Sequence, residues 1–239
     1  MQPSNNLSLI GSQLMAHRTT APWPWLSQVA PKPVDMQRAN KWFLGCIIDY
    51  QIDADRAWTN AKRLAEGIFN DPNDLWGTIS AYTEKQWMSK FDSYSLHRFP
   101  AAHKRVWRIG QALVQNYGGD ARQTWLGKIP SAVLDTWADL RLGEQISRMA
   151  LGGLLDTKQI HGAGDVKADS NVCRVTGRVV DGIPTSPERA TQLTRHMNAP
   201  NPWLLDWPLY RLGKDICPLS EPKCGKCYMN KLCRYAQSR

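Results

Sequence analysis

Near its end the chain places four cysteines within seventeen residues, Cys217-x6-Cys224-x2-Cys227-x5-Cys233, in the run CPLSEPKCGKCYMNKLC. Thiols this close either share a metal centre or pair as disulfides, so whatever fold forms must accommodate a cross-linked loop. Zinc sites generally use two tight C-x2-C-type pairs held apart by about a dozen or more residues. Here only Cys224 and Cys227 form a tight pair, and Cys217 and Cys233 flank it at wider reach. That spacing suits the four corners of a cubane, and four cysteines are the usual ligand set of a [4Fe–4S] cluster. The spacing favours iron–sulfur and leaves zinc and a pair of disulfides as alternatives.

The N-terminal run MQPSNNLSLIGSQLMAHR has no basic stretch ahead of its weak apolar patch, so a secretory signal is not expected. Six cysteines without such a signal point to a reducing, cytoplasmic setting. Cys46 and Cys173 lie outside the cluster motif and read as core residues. The longest apolar stretch, around Trp42 to Ile48, is far too short for a bilayer span, so no membrane partner is expected. The net charge of +9 favours a polyanionic partner, of which nucleic acid is the commonest. From Arg211 to Arg239 there are seven basic residues and two acidic ones, so the cysteine region itself is basic.

Residues 1–34, rich in Pro, Ser, Asn and Gln, read as an irregular arm docked by Trp23 and Trp25. Helical patterning runs over about 36–69 and 102–117, then over about 131–138, 144–151, 170–180, 187–197 and 203–213. In the 102–117 segment Val106, Ile109, Leu113 and Tyr117 form one stripe, and His103, Lys104, Arg105 and Arg108 gather near its start. Ser186-Pro187-Glu188 is a clear helix start. No convincing strand alternation occurs, and the expected class is all-α.

The 6-2-5 cysteine spacing resembles the cluster loop of the endonuclease III and MutY families of DNA glycosylases. Two further segments are similar to theirs. Lys167-Ala168-Asp169-Ser170-Asn171-Val172-Cys173-Arg174-Val175 resembles D-T-H-I-F-R-V of endonuclease III and D-G-N-V-K-R-V of MutY, with Asp169 on the essential aspartate. Asp139-Leu-Arg-Leu-Gly143-Glu-Gln145 stands where the family has the hairpin L-P-G-x-G-x-K-T-A. Gly143 is kept, but Arg141 replaces the first glycine and Gln145 replaces the lysine that forms a Schiff base in bifunctional members. The likeness covers about residues 36–235.

The resemblance implies a two-lobed helix-hairpin-helix glycosylase fold. Its parts would be an N-terminal arm (1–40) on the cluster lobe, a six-helix module (41–165), and a lobe with the catalytic aspartate and cluster (166–239). It implies a [4Fe–4S] cluster on Cys217, Cys224, Cys227 and Cys233, and a monomer acting on double-stranded DNA that carries a lesion or mismatch. Asp169 would break the N-glycosidic bond of a base flipped from the duplex, and with Gln145 in place of lysine the reaction would stop at an abasic site. Lys167, or Lys158 in the preceding loop, is the candidate for a displaced lyase lysine. Gln51, in Asp49-Tyr50-Gln51-Ile52-Asp53, is the candidate plug for the gap left by the base, and Leu96 stands in a loop that wedges into DNA in relatives. Arg141, Gly143, Gln145 and Asn171 are further DNA-contact candidates.

The catalytic glutamate of MutY falls on Gly45, with Asp49 one helical turn later as a possible substitute acid. That glycine, and a chain ending six residues after Cys233 where full MutY proteins continue, shift the expectation from adenine towards a damaged or mismatched pyrimidine. The stretch LLDTKQIHGAGDVK before Asp169 is longer than the family norm. The rival reading is a non-catalytic DNA-binding protein that keeps fold and cluster, with nucleoid association in either case.

Overall fold

A computed structural model describes residues 3–19, 24–69, 71 and 74–239. Among these residues the chain is all-helical, with thirteen α-helices and no strand. They are α1 (Pro3–Ala16), α2 (Met36–Ile48), α3 (Ala54–Lys62), α4 (Leu75–Ser80), α5 (Glu84–Ser89), α6 (Phe91–Tyr94) and α7 (Pro100–Tyr117). There follow α8 (Pro130–Asp139), α9 (Glu144–Asp156), α10 (Ser170–Val180), α11 (Pro187–Met197), α12 (Asp206–Arg211) and α13 (Arg234–Gln237). No helix among the described residues is long and apolar enough to cross a membrane. Trp23 lies outside the described residues.

The chain separates into two compact units, Met1–Ala21 with Gly162–Arg239, and Pro22–His161. In the second, α2 is the central helix. Its residues from Trp42 to Ile48 are completely buried, and aromatic rings surround them. Phe43 meets Trp76, Trp125 and Trp137 at centroid distances of 6.3, 6.2 and 5.7 Å. An apolar helical stretch of this length is stable only when enclosed in this way. Asp35 caps its start by accepting from the Arg38 N–H at 2.7 Å.

In the other unit, α10, α11, α12 and α13 assemble around Val172, Val175, Val179, Leu193, Leu209 and Met229. Residues 3–16 are helical, contrary to the irregular arm expected from composition. Ile10 and Leu14 are about 1% exposed and lie on one face of α1. At Gly11 the helix comes so close to α11 that a Cβ would fall 2.1 Å from the Met197 carbonyl oxygen. Packing of that stripe outweighs the weak helix propensity of Ser and Asn.

A second close approach, at Gly177 of α10, fixes the loop that follows it. A Cβ there would stand 2.4 Å from Ile183 O and 2.5 Å from Thr185 N, both backbone atoms that cannot swing aside. Gly177→Ala is therefore expected to destabilise the protein by about 2 kcal/mol or more, seen as a lowered denaturant midpoint with an unchanged slope.

Candidate functional site

Asp169 is the N-cap of α10. Its Oδ1 accepts from the Asn171 N–H at 2.8 Å and the Val172 N–H at 3.0 Å. One oxygen thus holds the helix start while the half-buried carboxylate stays at the positive end of the helix dipole. Two arginines further along α10 tie the helix to the cysteine loop. Arg174 donates from Nε to Cys217 O at 2.8 Å and from Nη2 to Gly213 O at 2.9 Å. Arg178, 5% exposed, donates from Nη1 to Pro218 O and from Nη2 to Leu219 O, each at 2.7 Å, and lies 3.3 Å from Cys217 Sγ. Neither arginine is recognisable as a brace in the sequence without knowing where residues 213–219 run.

None of the six cysteines is in a disulfide. Cys217, Cys224, Cys227 and Cys233 all line one cavity, together with apolar side chains such as Val175, Leu212 and Ile216. A π-helical turn at Leu212–Ile216 delivers the Cys217 backbone, whose N–H donates to Leu212 O at 2.7 Å. Among the described residues no three His, Cys, Asp or Glu side chains close tightly enough to hold a single metal ion. Burial pushes the Cys227 and Cys233 thiols up, so a metal centre must displace their protons. Cys46 and Cys173 are buried as core residues, and burial, then the charges of Asp169 and Glu188, raise Cys173 to about 11.

The unit Pro22–His161 carries the hairpin. Between α8 and α9, Arg141 (φ 53°) and Gly143 (φ 97°) both take left-handed backbone, and Arg141 and Leu142 N–H bond back to Ala138 and Trp137 carbonyls at 2.8 and 3.0 Å. Arginine at the first glycine position therefore does not abolish the turn. It adopts the glycine-like conformation at a cost of about 1–2 kcal/mol and adds an exposed cation. Gly143 is exposed, Gln145 half-buried in the first turn of α9.

Arg105 and Arg108 on α7 extend this positive region, which the sequence marked only as a basic helix start. Arg108 donates to Arg141 O at 3.0 Å, and Arg105 stacks over Tyr50 at 4.7 Å. Burial, then repulsion from Arg141 and Arg105, lowers the Arg108 pKa.

Tyr50 precedes Gln51, which is exposed with φ 53° at the turn after α2. His97 ties that turn to the 95–99 loop: Nδ1 accepts the Phe99 N–H at 3.0 Å, so Nε2–H is the donor to Tyr50 O at 2.8 Å. Leu96, by contrast, is completely buried, and the exposed residues of this loop are Ser95 and Arg98. As a DNA wedge Leu96 is corrected to a core residue. Asn171 likewise faces the protein: its Oδ1 accepts from Arg174 at 2.6 Å, and a Cβ on Gly213 would fall 2.7 Å from its own Cβ. Asp49 is 7% exposed at the end of α2. Lys167 is half-buried with its N–H donating to Asp206 at 2.7 Å, and Lys158 is exposed. In the long stretch before Asp169, Gln159 donates to Val29 O at 2.6 Å, and Arg195 holds Asp165 at 2.6 Å.

His97 and the fully buried His103 both have lowered pKa values, chiefly from burial, with Arg98 and Arg105 adding to the effect on His97. Unfolding returns each ring to about 6.5. The folded protein thus holds fewer protons than the unfolded chain below that pH, and stability is full above about 6.5 and lost as pH falls below it. Thermal melts from pH 7.5 to 5 are expected to show this decline, and His97→Asn should flatten part of it.

No protein-family model and no curated protein sequence matches the chain. Solved structures do. A thermostable thymine-DNA glycosylase is similar with a TM-score of 0.61 at 15% identity, covering 98% of each chain. An endonuclease III trapped as a covalent intermediate with DNA is similar with a TM-score of 0.59 at 16% identity, covering 84% of this chain and 86% of that one. At such identity the likeness establishes architecture, and the chain has the helix-hairpin-helix DNA glycosylase fold.

Proposed function

We propose that this protein is a monofunctional DNA glycosylase of base excision repair that hydrolyses the N-glycosidic bond of a damaged or mismatched base, by preference a pyrimidine. The carrying observation is Asp169, a carboxylate fixed at the head of α10 and braced from behind by Arg174 and Arg178. Cleavage builds positive charge on the sugar. A fixed carboxylate stabilises that charge and can take a proton from the attacking water. Gln145, an amide, cannot form a Schiff base, which supports release of the base without strand cleavage. In this reading the hairpin and the Arg105–Arg108–Arg141 group bind phosphates, Gln51 fills the gap left by the flipped base, and the protein acts as a monomer.

In this reading a [4Fe–4S] cluster would be held by Cys217, Cys224, Cys227 and Cys233, whose thiols are in no disulfide and line one cavity. When bound it supplies a cross-link for the loop that Arg174 and Arg178 grip. The absence of the MutY-type acid is also built in, since a Cβ on Gly45 would overlap the Trp58 ring at 2.0 Å.

The reading is tested on duplexes carrying single lesions and mismatches, each reaction split between neutral and alkaline quench. Strand breaks seen only after alkali, strongest for uracil or thymine opposite guanine, are expected. Breaks under neutral quench would assign a lyase. Tight binding without release from any duplex would assign a DNA-binding protein.

A further inference from the structure

His97 fastens together two segments that each hold a residue other than glycine in left-handed backbone, Gln51 (φ 53°) and Ser95 (φ 45°). Side chains hold the backbone of the 94–99 loop. Arg63, just after α3, donates to the Tyr94 carbonyl and, at 3.3 Å, to Ser95 O. Asn60 of α3 donates to Leu96 O at 3.0 Å. His97 completes the set. Its Nδ1 accepts the Phe99 N–H at the N-cap of α7, and its Nε2–H reaches Tyr50 O. Of these side chains only the imidazole changes charge near neutral pH.

Both ring nitrogens are engaged, so an added proton has one place to go. On Nδ1 it turns an acceptor into a donor that faces another donor, the Phe99 N–H, and the bond is lost. The ring is 5% exposed, yet it borders a cavity of about 190 Å³ through which a proton can reach it. The surroundings favour the neutral ring at pH 7. Burial, opposed in part by the bond to Tyr50 O and reinforced by Arg98 and Arg105, holds the His97 pKa below 6.5. Arg56 of α3 and the exposed carboxylate Asp92 of α6 also line the cavity. On the neighbouring turn Asp53 caps α3, and Asp49 is 7% exposed at the end of α2.

We infer that His97 is a positioning residue with a proton-operated release: neutral, it holds the 95–99 loop and the Gln51 turn in one arrangement, and protonated, it frees the loop and weakens duplex binding. The DNA half of this inference rests on the glycosylase reading above, in which Gln51 enters the duplex. The direction of the effect is distinctive. Protonating histidines makes a chain already at +9 more positive, which by itself tightens binding to a polyanion. Release of the loop has the opposite sign.

Two substitutions separate the ring's two bonds. His97→Asn keeps an acceptor for the Phe99 N–H in an Asx-type turn and cannot titrate. His97→Gln keeps an amide donor towards Tyr50 O and leaves the Phe99 N–H without its partner. Amide hydrogen exchange of the free protein is followed from pH 7.5 to 5.5, at a temperature where melts show the chain folded. Affinity is measured over the same range for a duplex with a tetrahydrofuran abasic site, which has no glycosidic bond to lose. As pH falls, wild type is expected to lose about tenfold in protection at Phe99, after correction for intrinsic exchange, and about tenfold in affinity. His97→Asn should stay level or bind more tightly at low pH, and His97→Gln should show low Phe99 protection already at pH 7.5. Unchanged wild-type protection would overturn the release, whether or not a variant folds, and leave the glycosylase reading standing. Protection that falls while affinity holds would overturn the positioning role, and so would equal pH profiles for wild type and His97→Asn. No duplex binding at any pH would overturn the DNA reading and the positioning role together.

Discussion

Asp169→Asn is expected to lower base release by about 10³-fold or more while duplex affinity and thermal stability stay close to wild type. The substitution separates the two roles of this side chain. As an N-cap, asparagine is about as good as aspartate, so the bonds now made to Asn171 and Val172 survive at 2.8 and 3.0 Å. The negative charge does not survive, and an amide neither stabilises a cationic sugar nor accepts a proton from water. Asp169→Ala removes both roles, and about 1 kcal/mol of stability should go with the cap. Single-turnover release, filter binding and a melt on the same preparations distinguish the cases. Activity retained in Asp169→Asn would remove Asp169 from the chemistry.

The second large effect is expected at the cysteine loop. Cys224→Ser should bleach the broad visible absorbance of an iron–sulfur protein and lower Tm by roughly 5–20 °C, taking the about 2–5 kcal/mol of a lost native cross-link as the scale. Apart from the hydrogen bonds of the α10 arginines the loop buries little: Met229 and Cys233 are its buried residues, whereas Leu219 is 71% exposed. Base release should fall along with colour, because Arg174 and Arg178 reach from α10 to carbonyls of residues 213, 217, 218 and 219. Cys46→Ser, outside the loop, should leave colour unchanged. A fully coloured and stable Cys224→Ser protein would take Cys224 out of the ligand set.

Long helices with one apolar stripe were legible in the sequence: α7, α10 and α11 lie within two residues of where periodicity puts them. Three short helices between Leu75 and Tyr94 were not, since four to six residues are too few to show a period, although they bring Trp76, Ile79 and Trp87 into the core. The first helix was hidden by Ser and Asn composition, and its anchor at Gly11 depends on α11, nearly two hundred residues away. At the candidate site, Asp169 and the cysteines could be singled out by local spacing. Leu96 could not be judged, because whether a leucine in a loop points outward is decided by packing. Arg141 could be seen to replace the first hairpin glycine, but not that the backbone absorbs the change by holding an arginine at positive φ.

The contact between Gly45 and Trp58 also constrains how this chain can change. An acid at position 45 is sterically admissible only after residue 58 has become smaller, and a smaller residue at 58 leaves a void against α2 until position 45 has grown. The two positions are therefore coupled in volume, so a larger side chain at 45 and a smaller one at 58 have to be judged together rather than one at a time.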